Sequence, residues 1–71
     1  MKEQKKIELI KFVREYSAQF HFPPTYQEIA RHLNYTHKGN VAYLVKELIT
    51  EGKIYKIKWG HRNIIIKGEY E

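Results

Sequence analysis

Three stretches of this chain repeat apolar residues at helical spacing, and then the pattern changes to alternation. In residues 3–20, Ile7, Ile10, Val13, Ser17 and Phe20 fall three or four apart, with Leu9, Phe12 and Tyr16 widening the stripe. Side chains at that spacing share one side of a helix, so the segment predicts a first helix of about four to five turns packed on a core. Lys2, Lys5, Lys6, Glu8, Lys11, Arg14 and Glu15 take the other side and are expected in solvent.

Pro23 and Pro24 stop this helix, because proline lacks the amide proton and restricts the residue before it, which leaves His21 and Phe22 in a short connection. Thr25-Tyr26-Gln27-Glu28 then reads as a capping box that opens a second helix. Ile29, Ala30 and Leu33 form its buried stripe, and Asn34 tolerates the left-handed conformation that ends helices. After Asn34, Tyr35 and Thr36 comes a third periodic segment, residues 37–51, in which Val41, Leu44, Val45, Leu48 and Ile49 recur. Thr36 or His37 caps its start, and Gly52 stands where a glycine closes a helix. Two short helices joined so briefly must cross steeply, as in a helix-turn-helix.

Beyond Gly52 the alternation predicts strands over residues 54–59 and 63–67, with Gly60, His61, Arg62 and Asn63 in a hairpin connection and residues 68–71 as a frayed end. The expected fold is α+β: a three-helix winged helix-turn-helix with a C-terminal two-stranded β-hairpin wing, one domain over residues 1–71. A chain this short buries only about 60% of its unfolded surface in a single core, which favours a binding module over an enzyme. Without cysteine, disulfides and thiolate metal sites are excluded. The longest apolar run, Ile64 to Ile66, falls far short of the roughly 20 residues of a membrane span. MKEQKK is not followed by the apolar region of a signal peptide, so a cytoplasmic protein is expected.

Charge changes the picture further. Of the formal +5, residues 1–33 carry six Lys/Arg against four Glu, residues 34–67 carry seven against two, and residues 68–71 add two Glu. The second half therefore suits a polyanion, although a basic balance also serves solubility alone. His32 and His37 have no carboxylate or cysteine at ligand spacing, and no acid, base or nucleophile grouping stands out. No enzyme activity, cofactor, metal or small-molecule substrate is expected.

The stretches ELIKFVREY (8–16), FPPTYQEIARHLN (22–34) and LVKELITEGKI (44–54) resemble the DNA-binding domain of LexA-type repressors. The second is the most specific, since an aromatic, two prolines, a threonine and an E-I-A helix form an unusual combination. The resemblance implies a winged helix acting on DNA as a repressor. It does not carry the family's self-cleaving serine/lysine peptidase domain or the dimer that domain makes. The start of the third helix, THKGNVAY, differs from the Ser-, Pro- and Asn-rich stretch common in the family, so no operator sequence is implied.

An α-helix fits the major groove and reads base edges with its N-terminal residues. With Val41, Val45 and Leu48 turned inward, Lys38, Gly39, Asn40, Ala42, Tyr43, Lys46 and Glu47 face out. Asn40 suits adenine, Lys38 suits guanine or a phosphate, and Ala42 suits a thymine methyl. Gly39 either permits close approach or is a helix-start glycine. Tyr43 contacts DNA or covers the core. Thr36 and His37 suit a phosphate, and Thr36 equally a cap. Thr25, Tyr26 and Gln27 open the helix that crosses the backbone and are further phosphate contacts. In the wing, Arg62 is expected in a minor groove or on phosphates, beside Lys56, Lys58 and His61. Trp59 either stacks on sugar or packs against Ile57 or the first helix. The expected partner is double-stranded DNA, bound by a monomer or a DNA-assembled homodimer. The alternative is a protein-protein adaptor or anti-repressor docking through the third helix or a hairpin edge.

Overall fold

The computed structural model describes residues 2–57 and 62–66; the expectations for Lys58, Trp59, Gly60, His61, Lys67 and residues 68–71 lie outside them. In order come α1 (Lys2–Phe20), α2 (Tyr26–His32), α3 (Lys38–Thr50), β1 (Ile54–Lys56) and β2 (Ile64–Ile66). The strands are antiparallel, giving the α+β layout of a winged helix.

Local chemistry explains each boundary. After α1 the chain turns through His21 at φ 67°, whose amide donates to the Ser17 carbonyl at 2.8 Å, and the prolines follow. Thr25 caps α2 reciprocally: the Glu28 amide donates to Thr25 Oγ1 at 3.1 Å and the Thr25 amide to Glu28 Oε1 at 2.8 Å. Asn34, at φ 63°, lets the Tyr35 amide reach back to the Ala30 carbonyl at 2.9 Å. His37 holds the N-cap position of α3 but makes no side-chain cap bond. At the other end Gly52, at φ 77°, allows its own amide and that of Lys53 to satisfy the carbonyls of Ile49 and Leu48. A side chain at that φ is strained, so glycine is required there for backbone reasons.

The core joins all five elements. Leu9 and Val13 of α1 meet Ile29, Ala30 and Leu33 from the α2 region, Val41, Leu44, Val45 and Leu48 of α3, and Ile54, Ile64 and Ile66 of the hairpin. Pairing Ile54 with Ile66 and Lys56 with Ile64 directs the isoleucines of alternate positions to the core. The ladder is shorter than the alternation suggested, and it is extended by the Ile57 amide donating to the Asn63 carbonyl at 2.8 Å.

Two expectations are corrected by the packing. Ile7 is 61% exposed, Phe20 44% and Ile49 38%, so they do not belong to the buried stripes. The stripe of α1 runs instead through Lys6, Leu9 and Val13. Lys6 is not on a solvated face: its Nζ lies 2.6 Å from Glu51 Oε2 and 3.0 Å from Glu47 Oε1. These hydrogen bonds, to Glu51 first and Glu47 second, hold the ammonium above the usual lysine range. The cluster ties the start of α1 to the last turn of α3, where cations also suit the negative end of the helix dipole. Among the described residues no helix is long and apolar enough to cross a membrane.

Candidate nucleic-acid interface

The buried side of α3 fixes its outward side. Val41, Leu44, Val45 and Leu48 face the core, and the helical repeat then puts Gly39, Ala42, Tyr43 and Lys46 opposite them, with Lys38 and Asn40 on the flanks. All six outward positions are exposed. Glu47, the carboxylate of this helix, is half-buried on the flank toward α1 and held by Lys6. The outward side therefore carries amide, ammonium and phenol groups.

At the corner between α2 and α3 lies a cleft of about 400 Å³, walled by Gln27, Ala30 and Arg31 on one side and Tyr35, Thr36, His37 and Lys38 on the other. No carboxylate lines it, and Arg31, Thr36, His37 and Lys38 are all exposed there. Arg31 was not anticipated in the sequence. The signal was present, since it stands four residues after Gln27 and so shares its side of α2. No side chain caps the start of α3, so the amides at its positive end have no side-chain acceptor from His37.

Other expected contacts sit differently. Thr25 is committed to its cap. The Tyr26 hydroxyl is buried without a hydrogen-bond partner among the described residues, so it is not presented at the surface as the expected phosphate contact requires, and its ring lies under the Lys56 ammonium at 5.6 Å. Lys56 itself is exposed. Lys58 and His61 fall outside the described residues.

Arg62 is the main correction. Its guanidinium turns inward and pairs with Glu28 through two bonds, Nη1 to Oε1 at 2.8 Å and Nη2 to Oε2 at 3.1 Å. Nη1 also reaches the Tyr16 hydroxyl at 3.0 Å and the Pro23 carbonyl at 3.2 Å, and the group lies 4.8 Å from the Phe22 ring centroid. The hydrogen bonds from Arg62, then that from the Thr25 amide, pull the Glu28 carboxyl down to about 2. A fork-shaped cation matches a carboxylate in this way, so Arg62 clamps the foot of the wing to α1 and α2. Local periodicity gives no hint of a partner 34 residues away.

Among the described residues no group of histidines and carboxylates is arranged to hold a metal ion. The surface gathered here thus comprises Gln27, Arg31, Thr36, His37, Lys38, Gly39, Asn40, Ala42, Tyr43 and Lys46. No protein-family model matches the chain, and no curated protein matches it.

Proposed function

We propose that this chain binds double-stranded DNA sequence-specifically as a transcriptional regulator of repressor type, acting in the cytoplasm, with α3 in the major groove. One observation carries the reading. The exposed side of α3 joins Lys38, Asn40 and Lys46 around the small residues Gly39 and Ala42, while Glu47 is drawn aside by Lys6. That arrangement gives a polyanion close approach, ammonium groups and one side chain able to pair with a base edge. Asn40 reads bases, Lys46 meets phosphate, and Lys56 adds backbone attraction from the wing. The resemblance to LexA-type DNA-binding domains agrees with this reading.

Titration of a labelled random duplex at rising salt tests it. Affinity should fall steeply with salt, because neutralised phosphates release counterions. Lys46→Ala should weaken all sequences alike and lower the salt slope by about 1, whereas Asn40→Ala should cost about 1–3 kcal/mol at the preferred site and relax choice there. Absence of duplex binding at low salt would refute the proposal. Selection from a random pool then yields the preferred site, and its symmetry distinguishes a monomer from two copies on a palindrome.

A further inference from the structure

The clamp on Arg62 has a consequence for its neighbour on α2. Glu28 and Arg31 stand three apart on a helix, where a carboxylate and a guanidinium ordinarily pair. Glu28 is the carboxylate of α2, and both of its oxygens are taken by Arg62 at 2.8 and 3.1 Å. The Arg31 side chain makes no hydrogen bond or ion pair among the described residues, and it borders the cleft that Lys38 also lines. Two cationic residues thus line one cleft that has no carboxylate in its lining, together with Thr36 and Gln27. Like charges at one small opening repel, and an anion between them removes that repulsion.

We propose that the cleft between α2 and α3 seats a phosphate between Arg31 and Lys38, and that Arg62, by occupying Glu28, keeps Arg31 free to grip it. Arg62 is thereby a positioning residue that touches no phosphate itself. The chemistry recognised is a phosphate ester. Its source is the DNA backbone, and for that source the inference rests on the reading above. One phosphate held at the α2–α3 corner would fix the register at which α3 enters the groove, since backbone contacts set orientation and base contacts set choice.

The experiment uses a fluorescein-labelled random duplex at low salt, with folding of each variant verified by circular dichroism. Arg31→Gln and Lys38→Gln should each weaken binding about tenfold, and together by less than the product of the two, because they grip one group. Arg62→Met should weaken binding about fivefold by releasing Glu28 to Arg31, and adding Glu28→Gln should restore it. A merely structural Arg62 gives the opposite result, since Glu28→Gln then adds damage to damage. Unchanged affinity in Arg31→Gln, or no rescue in the double variant, overturns the proposal while wild-type duplex binding upholds the DNA reading. If the wild type ignores duplex DNA, that reading fails, and phenyl phosphate followed by amide shifts at Thr36 and Lys38 decides the rest. Binding lost in Arg31→Gln assigns the seat to a free phosphate ester; no binding sinks it.

Discussion

Where α1, α2 and β2 meet, Arg62 directs its donors to Glu28, Tyr16 and Pro23, and its guanidinium lies against the Phe22 ring. On the outward side of α3, Lys38 and Lys46 are exposed and have no side-chain partner among the described residues. The cations of both regions come from the same basic half of the sequence, which holds seven Lys/Arg against two Glu in residues 34–67. They differ in what surrounds each cation. A carboxylate already capped by Thr25 offers Arg62 a rigid, two-pronged acceptor. The α3 surface offers its lysines only solvent, the cheaper site for an ammonium group and one open to an external anion. Formal charge counts both sets alike, whereas only the second is left without a side-chain partner among the described residues.

The contrast can be broken most sharply at α3. Reversing both lysines, Lys38→Glu with Lys46→Glu, should raise the dissociation constant for duplex DNA by roughly a hundredfold while shifting the melting temperature by only a few degrees. A matching loss of stability would mean that these lysines also serve the fold. At the clamp, Glu28→Gln should cost about 2 kcal/mol of stability through the lost ion pair alone, since glutamine can still accept from the Thr25 amide, roughly 10 °C in a domain of this size, as urea and thermal melts report. Its pH dependence has a definite sign. Because the folded carboxyl sits at about 2 against an ordinary 4.5, the stability difference between wild type and variant should be full above pH 4.5 and shrink as pH falls toward 2. A difference that stays constant through that window would mean the ionised carboxylate contributes nothing.

A subtler probe is Gly39. A methyl group added there would meet nothing within 4 Å and its φ is not left-handed, so the fold itself has no need of glycine. Gly39→Ala should stabilise the protein by up to about 0.5–1 kcal/mol and weaken duplex binding several-fold; tighter or equal binding would show that close approach does not occur at this point. The smallest effect is expected at Lys6. Its ammonium lies above the ordinary 10.5, so its contribution is complete below that pH and lost only at more alkaline values, leaving denaturant midpoints flat on this account from pH 6 to 9.

Much of the fold was legible because its signals are local. The Thr25–Glu28 box, Asn34, Gly52 and the prolines act within a few residues, and each sits at the boundary it foretold. The α3 stripe was readable since Val41, Leu44, Val45 and Leu48 occupy one narrow side. In α1 the apolar residues spread around too much of the circumference to choose a side, and periodicity alone favours a line through Ile7 over the buried Lys6–Leu9–Val13 line. What settles that choice is Glu47 and Glu51, an i, i+4 pair 41 and 45 residues beyond Lys6. The same limit hid Arg62, whose acceptor lies 34 residues away, and with it the freedom of Arg31. Outward α3 residues could be named from the sequence except Glu47, which Lys6 draws toward α1, whereas the opposing wall of the cleft required the packing of α2 against α3.

The hairpin is fastened at two points beyond its three paired residues per strand: the Ile57 amide donates to the Asn63 carbonyl at 2.8 Å, and Arg62 is bolted to Glu28. The second fastening leaves the sheet altogether and ends on a helix whose own start depends on the same carboxylate. One acidic side chain therefore governs both where α2 begins and how the hairpin is hinged to the body, so damage to either should travel to the other.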